Sequence, residues 1–261
     1  MTDSPLVHPT AVIAAGARLG AGVRIGPFAV IEDDAEVGAG SEIAAHAVIK
    51  RYTRMGPRNR IGEHAVIGGE PQDLKFKGWP SFVVIGADNV IREGTTIHRA
   101  SVEGGETRVG DGNFLMAYAH VAHDCRIGNH AIIANGALVA GFVSVGDRAF
   151  VSGNVAIHQF ARIGRLAMVG GLARISQDCL PFMITEGSPA RARGPNIVGL
   201  KRAGIPAADV AALKRAFALL RSGALLKDAL DALEASDSAP VREVAQFIRE
   251  AKRGFTHPGG A

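Results

Sequence analysis

The chain has 261 residues, a formal net charge of +4 at pH 7, and a hydrophobic content of 47% that includes only 5% aromatic residues. This apolar content excludes an intrinsically disordered chain, which would combine low hydrophobicity with a high net charge. Glycine accounts for 33 residues, but without the strict period of three that collagen requires. The mild basic balance suits an acidic partner or a phosphorylated substrate, and it is weak evidence for binding to nucleic acid.

Several short features indicate the expected compartment. Cys125 and Cys179 are too few for a disulfide framework and do not form a metal-binding motif. The first residues lack the basic segment and apolar run of a signal peptide. The longest uncharged stretch, residues 131–146, is too short and too interrupted to span a bilayer. We therefore expect a cytoplasmic protein without stable membrane insertion.

A repeat of six residues organises most of the chain, from Val7 to Ile175. Of the 29 positions in this phase, all except Asp73, Trp79 and Glu103 carry Val, Ile, Leu or Met. Glycine often follows the aliphatic residue, and a small residue often stands four positions after it. Neither a helical period nor simple alternation fits this pattern. The repeat predicts short strands joined by tight turns and stacked into a parallel β-helix.

Two polar segments interrupt the repeat, one near residues 69–81 and one near residues 101–108, and both are predicted to be loops. Loops that leave a rigid scaffold often carry binding residues. A stretch rich in Pro and Gly follows the last repeat, and the apolar spacing then becomes helical. We therefore predict a mainly β chain, with a parallel β-helix over residues 1–190 and a small C-terminal α-helical domain over residues 191–261.

Three apolar stripes predict the helices of the C-terminal domain. Gly223 and Gly254 are predicted to end two of these helices, because glycine is common just past a helix C-terminus. The stripes consist of Val210, Leu213, Phe217 and Leu220; of Leu226, Leu230 and Leu233; and of Val244, Phe247 and Ile248.

Stacking of the coils brings together residues that could perform chemistry. If each coil contains three hexapeptides, His123, Gly141 and Gln159 lie above one another at a turn, because each is separated from the next by one complete coil. Asp124 follows His123 directly. A histidine beside a carboxylate and beside a glycine N–H suits a general base with an oxyanion site. Two further histidines in the same region are His120 and His158.

Other reactive residues are predicted to have structural roles. Cys125 occupies a small inward position, so a core role is favoured over a nucleophilic one. The sequence has no GxSxG-type nucleophile elbow, which disfavours a covalent acyl-enzyme. The remaining histidines are expected to be solvated surface residues, namely His8, His46, His64, His130 and His257.

Five short motifs carry a resemblance to a known family. They are GEPQDLK at residues 69–75, TIHR at 96–99, AHVAHDC at 119–125, IHQF at 157–160, and Asn196 with GLKR at 199–202. Together they resemble the UDP-N-acetylglucosamine O-acyltransferases, which are hexapeptide-repeat enzymes that begin lipid A biosynthesis. The resemblance covers nearly the whole chain, and it implies that the coil is left-handed and triangular.

The resemblance also implies a reaction. A 3-hydroxyacyl chain would move from acyl carrier protein, an acidic partner, to the 3-hydroxyl of UDP-N-acetylglucosamine, without a covalent enzyme intermediate, a cofactor or a metal. His123 would be the general base, Asp124 would orient it, and the N–H of Gly141 would stabilise the oxyanion. Members of the family are homotrimers with sites between subunits. The implied substrate-binding residues are Asp73, Lys75, His120 and His158 for the sugar and acyl groups, Gln159, Asn196 and Arg202 for the nucleotide, and Gly171 for acyl length.

Three positions depart from the family pattern. Phe142 stands where the pattern usually has a histidine, Val198 replaces an acidic residue, and Ala203 replaces a second arginine. The residues implied for the catalytic step are unchanged. The departures leave open a related acceptor, a 3-amino sugar nucleotide that would give an amide.

Two other classes of function are compatible with the repeat. A hexapeptide-repeat carbonic anhydrase would bind a metal through three histidines, for which His98, His120 and His123 are the candidates, but their spacing does not match that family. A non-catalytic scaffold is disfavoured by the polar residues clustered around His123.

Overall fold

The computed structural model describes residues 4–258, and most of this chain forms a left-handed parallel β-helix with three flat faces. Each face is one sheet, and its strands pair in parallel with the strands of the preceding and following coils, except for Arg191–Pro195, which pairs in antiparallel at the end of the first face. The first face contains Leu6–Val7, Arg24–Ile25, Glu42–Ile43, Arg60–Ile61, Val90–Ile91, Phe114–Leu115, Ile132–Ile133, Phe150–Val151, Met168–Val169, Met183–Glu186 and Arg191–Pro195. The second face contains Val12–Ile13, Val30–Ile31, Val48–Ile49, Val66–Gly69, Thr96–His98, His120–Val121, Leu138–Val139, Ala156–Ile157 and Arg174–Ile175. The third face contains Arg18–Leu19, Glu36–Val37, Thr53–Met55, Phe82–Ile85, Glu106–Val109, Arg126–Ile127, Ser144–Val145 and Arg162–Ile163.

The register between coils follows the predicted stacking. Leu115 pairs with Ile133, and Ile133 pairs with Val151, so that residues three hexapeptides apart lie side by side. The offset grows only where the two insertions lengthen a coil, since Ile97 pairs with Ile67 on one side and with Val121 on the other. The predicted coil of three hexapeptides is therefore confirmed.

The interior holds the aliphatic residues of the repeat. From Ile25 to Ile175, every aliphatic position in the six-residue phase is at most 5% exposed, whereas Val7 is 38% exposed. The small residues predicted at the corners, such as Ala47 and Ala131, are fully buried. Burial of these aliphatic columns is the main stabilising contribution of the coil.

Three of the small inward positions hold asparagines instead, which the sequence analysis did not anticipate. Asn59 Oδ1 accepts hydrogen bonds from the backbone N and from Nδ2 of Asn89, both at 2.9 Å. Asn89 Oδ1 accepts the corresponding bonds from Asn113 at 2.8 and 3.0 Å. Each amide is thus satisfied by the next coil, so its burial does not carry the cost of an unpaired polar group.

Glycine is required where two coils approach most closely. A Cβ at Gly38 would overlap the carbonyl carbon of Gly56, which is backbone that cannot rotate away. The glycine that often follows the aliphatic residue is explained here by the contact between coils, because Gly38 does not have a left-handed φ angle.

The chain leaves the coil through a short antiparallel pair. Met183–Glu186 pairs in parallel with the coil and in antiparallel with Arg191–Pro195. The helices that follow are α1 (Ile197–Arg202), α2 (Ala207–Arg221), α3 (Leu226–Glu234) and α4 (Ala239–Arg249). The division of the chain at residue 190 stays a prediction. None of the helices described is long and apolar enough to cross a membrane.

The apolar stripes of the helices pack together, with two exceptions to the predictions. Leu226 is 42% exposed, because it stands at the start of α3 before the stripe turns inward. Gly223, with φ of +81°, follows the end of α2 as predicted. Gly254 does not end a helix, because α4 already ends at Arg249. The segment around Gly254 instead returns to the coil, where its carbonyl accepts a hydrogen bond from the N–H of Asp178 at 3.1 Å.

The core of the coil predicts the result of a simple substitution. Leu115→Ala removes a fully buried side chain and should lower the free energy of unfolding by about 2–5 kcal/mol. Leu225→Ala deletes the same atoms at a position that is 74% exposed and should change it by less than about 0.5 kcal/mol. Urea denaturation of both variants measures the difference. Equal effects would contradict the packing described here.

Candidate active site

The candidate residues lie at the corner that joins the second face to the third. His120–Val121 ends on one side of this corner, and Arg126–Ile127 begins on the other. Asp124, Phe142 and Phe160 occupy the same place in successive coils, with φ angles of 59°, 61° and 66°. This left-handed conformation is uncommon for residues other than glycine. Its recurrence in these three coils aligns the corner side chains, and the rings of Phe142 and Phe160 stack on one another.

His123 and Asp124 form a hydrogen-bonded pair. His123 Nδ1 lies 2.8 Å from Asp124 Oδ2, and the two side chains are only 11% and 8% exposed. An ionised carboxylate only accepts hydrogen bonds, so Nδ1 carries the proton and Nε2 is the ring nitrogen that can take up another. This is the arrangement that a general base requires.

Asp124 has two more partners, which the sequence analysis missed. Its Oδ2 accepts hydrogen bonds from the backbone N of Ser101 at 2.9 Å and from Ser101 Oγ at 2.7 Å. The backbone N of Asp124 donates to Thr107 Oγ1 at 2.7 Å. Ser101 stands four residues after Ile97, in the place that elsewhere holds a small core residue, so the sequence signal favours a packed serine. The contact between Ser101 and Asp124 could not be found by counting one regular coil back from Asp124, because an insertion lies between the two residues.

Gly141 lies directly against the ring of His123. A Cβ at this position would be 2.5 Å from His123 Cε1 and 2.7 Å from Nε2, so a side chain here would displace the imidazole. Among the backbone hydrogen bonds within residues 4–258, none is donated by the N–H of Gly141. The group is therefore available to an oxyanion beside the imidazole.

Two further histidines share the site. The rings of His98 and His120 are nearly perpendicular, with centroids 4.8 Å apart, and His120 Nδ1 lies 2.7 Å from Thr96 Oγ1. Burial, and then the neighbouring His120 and His123, lower the pKa of His98 to about 4. Burial and His123 also lower the pKa of His120. Both imidazoles are therefore uncharged near neutral pH.

The sequence analysis gave His98 a single possible role, that of a metal ligand. Its Nδ1 is buried without a hydrogen-bond partner. Over the part of the chain that the structure describes, no group of three or more His, Cys, Asp or Glu side chains is placed to hold a metal ion.

Two aromatic rings border the imidazole. The ring of Phe142 meets His123 edge-on at a centroid distance of 5.4 Å and stacks on Phe160 at 4.8 Å. Phe142 therefore presents an apolar surface where the family pattern usually has a polar ring.

Cys125 is fully buried, and burial raises its pKa to about 12, which agrees with the predicted core role.

Other predicted residues lie apart from this pair. His158 and Gln159 are exposed at the corner two coils further on, and His158 Nδ1 donates to the carbonyl of Gln159 at 3.0 Å. Asp73 Oδ1 accepts a hydrogen bond from the backbone N of Lys75 at 2.9 Å, within the loop of residues 70–81. No hydrogen bond or ion pair described for residues 4–258 joins this loop directly to His123. Gly171 is exposed, and a Cβ there would meet only ordinary contacts.

Asn196 and Arg202 line a separate cavity of about 480 Å³ beside α1. Asn196 Oδ1 accepts from the backbone N of Gly199 at 3.1 Å, and its Nδ2 donates to the carbonyl of Leu166 at 3.0 Å. Its amide is thus engaged as the N-cap of α1. The cavity is also lined by His130, Arg148, Val198 and Ala203. His130, predicted from sequence to be a solvated surface residue, is exposed but lines this cavity.

A larger concavity, of about 890 Å³, lies over the N-terminal coils of the first face. Its lining includes Leu6, Arg24, Glu42 and Arg60 and contains none of the residues predicted for the site. The hydrogen-bonded pair and its donors, rather than the size of a cavity, therefore identify the candidate site.

Known proteins of one family are similar to this chain over most of its length. A family model described as UDP N-acetylglucosamine O-acyltransferase, domain 2, matches residues 178–256, and a bacterial transferase hexapeptide model matches residues 16–51 and 106–141. An acyl-[acyl-carrier-protein]–UDP-N-acetylglucosamine O-acyltransferase of Akkermansia muciniphila is 51% identical over 97% of this chain and 100% of that protein. A protein of the same name from Synechocystis is 51% identical over 67% of this chain and 63% of that protein. The solved UDP-N-acetylglucosamine acyltransferase of Campylobacter jejuni has a TM-score of 0.91 and 39% identity, and the match covers 97% of this chain and 100% of that chain.

The low pKa of His98 predicts how stability depends on pH. Its value of about 4 in the folded chain lies below the ordinary 6.5, so the unfolded chain binds more protons between these values. The free energy of unfolding should therefore fall as the pH decreases through this window. His98→Gln should make that dependence shallower, whereas His64→Gln, at an exposed corner, should not. Urea midpoints between pH 7 and pH 4.5 measure both slopes, and identical slopes for His98→Gln and the unsubstituted chain would contradict the prediction.

Proposed function

The chain belongs to the family of acyl-[acyl-carrier-protein]–UDP-N-acetylglucosamine O-acyltransferases, and from this membership we propose how it acts. We propose that it transfers a 3-hydroxyacyl chain from acyl carrier protein to the 3-hydroxyl of UDP-N-acetylglucosamine, at the start of lipid A biosynthesis. The observation that carries the proposed mechanism is the buried hydrogen bond of 2.8 Å between His123 and Asp124 beside the N–H of Gly141.

In the proposed reaction, His123 Nε2 removes the proton of the sugar 3-hydroxyl while the oxygen attacks the thioester carbonyl. The N–H of Gly141 stabilises the resulting oxyanion. The C–S bond then breaks, and the thiol of the carrier protein leaves with the proton returned by the imidazolium. Asp124 keeps the proton on Nδ1 and stabilises the imidazolium while it exists. A positioned general base contributes about 10²–10⁴-fold, and one oxyanion donor about 10²–10³-fold.

No step of this mechanism changes an oxidation state, so it requires no redox cofactor. The acyl group passes directly from sulfur to oxygen. A covalent intermediate on Cys125 is disfavoured because its buried thiol, with a pKa of about 12, would have to lose a proton inside the core.

We further propose roles for the surrounding polar residues. His120 is uncharged, with Thr96 at Nδ1, so its Nε2 is free to donate to the sugar or to the acyl carbonyl. Asp73, Lys75 and His158 would contact the same groups. They would do so across a subunit boundary if the chain is a homotrimer, as the resemblance implies. The homotrimer and the cytoplasmic location stay predictions.

We propose that the nucleotide binds at Gln159 and in the cavity beside α1. Arg202 would contact the diphosphate, because a guanidinium matches the geometry of phosphate oxygens. Asn196 would act mainly through α1, since both ends of its amide already bond to the chain. Val198 and Ala203 make this cavity less polar than the family pattern does.

An assay of acyl transfer tests the proposed function. The full chain should acylate UDP-N-acetylglucosamine from a 3-hydroxyacyl-acyl carrier protein, and His123→Ala should lower kcat by about 10²–10⁴-fold through loss of the base. His64→Ala, which removes an exposed corner histidine, is the matched control and should keep full activity. Retained activity in His123→Ala would overturn the assigned base. Faster acylation of the 3-amino sugar nucleotide would overturn the proposed acceptor.

Gly171 provides a test of donor length. A Cβ at this exposed position would lie 3.5 Å from the carbonyl oxygen of Gly153 and 4.0 Å from Ser152 Cβ, so a side chain should begin there without moving the backbone. Gly171→Met should therefore lower kcat/KM for long acyl donors and favour shorter ones. Leu172→Met, at the exposed neighbouring residue, should leave the preference unchanged. Rates with acyl carrier protein thioesters of several lengths measure the effect, and an unchanged preference in Gly171→Met would refute the assignment.

A further inference from the structure

Asp124 depends on a residue at the start of the second insertion. One oxygen of its carboxylate, Oδ2, accepts hydrogen bonds from His123 Nδ1, from the backbone N of Ser101 and from Ser101 Oγ, at 2.8, 2.9 and 2.7 Å. Ser101 is only 7% exposed. Hydrogen bonds to an ionised acceptor are stronger than neutral ones. Two of the three bonds that hold this oxygen therefore come from one serine.

Ser101 is itself held by the loop of residues 70–81. Trp79 Nε1 donates to the carbonyl of Ser101 at 3.0 Å. Arg99 Nη1 donates to the carbonyl of Trp79 at 2.9 Å. Ser81 Oγ donates to the carbonyl of Ala100 at 2.5 Å. The carbonyls of Ala100 and Ser101 thus both accept hydrogen bonds from side chains of the loop.

Arg99 fixes the other side of this loop. Its side chain is only 4% exposed and donates to Glu70 Oε1 at 3.1 Å. Its guanidinium lies 4.8 Å from the centroid of the Phe76 ring and 5.5 Å from that of Tyr52. The loop that carries Asp73 and Lys75 is therefore anchored by contacts that continue, residue by residue, to the carboxylate of Asp124.

We propose that Ser101 is a positioning residue, which orients Asp124 toward His123 and connects the loop of residues 70–81 to this pair through Trp79. This proposal rests on the proposed role of His123 as the general base. With both Ser101 donors in place, Oδ2 has one geometry that also satisfies His123 Nδ1. Without the hydroxyl, the carboxylate gains rotational freedom and is less well stabilised as an anion.

Loss of the Ser101 hydroxyl should change the pH dependence of kcat/KM in a direction that can be measured. A carboxylate with fewer donors interacts more strongly with the imidazolium, so the protonated form of the base should be favoured. The acidic limb of kcat/KM against pH reports the base of the free enzyme. His98 and His120 face His123 but are uncharged at neutral pH, and the charges of Glu70 and Arg99 pair with each other. The position of the acidic limb should therefore depend on the His123–Asp124 pair.

The test compares three variants of the full chain. Ser101→Ala should lower kcat by about tenfold, equivalent to ~1.4 kcal/mol, and should move the acidic limb to higher pH. Ser101→Thr keeps the hydroxyl and should restore both values. Trp79→Phe leaves Ser101 unchanged but removes the donor to its carbonyl. It should shift kcat and the acidic limb in the same directions as Ser101→Ala, but by smaller amounts.

Ser41→Ala is the matched control for a purely structural effect. Ser41 is fully buried in the coil, where Oγ accepts a hydrogen bond from the backbone N of Asn59 at 3.1 Å. Its replacement should lower the Tm and leave the acidic limb in place. An unmoved limb in Ser101→Ala, or no recovery in Ser101→Thr, would overturn the role of Ser101. Activity retained in His123→Ala would instead overturn the proposed function, so the two failures are distinguishable.

Discussion

The hydrogen bonding between successive coils is the constraint on which the rest of the structure depends. A strand as short as Ile132–Ile133 cannot persist alone, so each coil must return to the same face after three hexapeptides to continue the parallel ladder. The corners then stack with it. The carbonyl of His123 accepts from the N–H of Phe142 at 3.0 Å, and that of Gly141 accepts from the N–H of Phe160 at 3.1 Å. The backbone therefore places the N–H of Gly141 beside the imidazole of His123.

The same constraint explains the unusual composition. Stacked coils leave a narrow interior with room for one aliphatic side chain per strand and one small side chain near each corner, so rings are not repeated there. Buried asparagines are accepted in this interior because the next coil supplies a partner for each amide oxygen. At positions 59, 89 and 113, each amide oxygen is matched by the donors of the residue stacked on it. The register that stacks the core thus also satisfies its polar groups.

Much of this arrangement could be predicted from the sequence, because the six-residue period encodes the backbone register directly. The register alone places Gly141 against His123, and adjacency alone places Asp124 beside it. Prediction fails where the register is interrupted. Ser101 lies in an insertion, so no fixed offset relates it to Asp124, and only the folded loop shows their contact. The prediction of a helix stop at Gly254 is wrong because the sequence does not show that this segment packs back on the coil.

The charges in the site depend on the register of the coils and on the contacts of the loop. The coil buries His98 and His120 enough to keep them uncharged, so neither competes with His123 for the carboxylate of Asp124. Phe142 covers one edge of the imidazole, where a polar ring would bring a competing hydrogen bond. An apolar border strengthens the charge interaction that develops when the base is protonated, because the effective dielectric constant there is lower than in water. The change at this corner therefore alters the surface beside the imidazole and preserves the contact between His123 and Asp124.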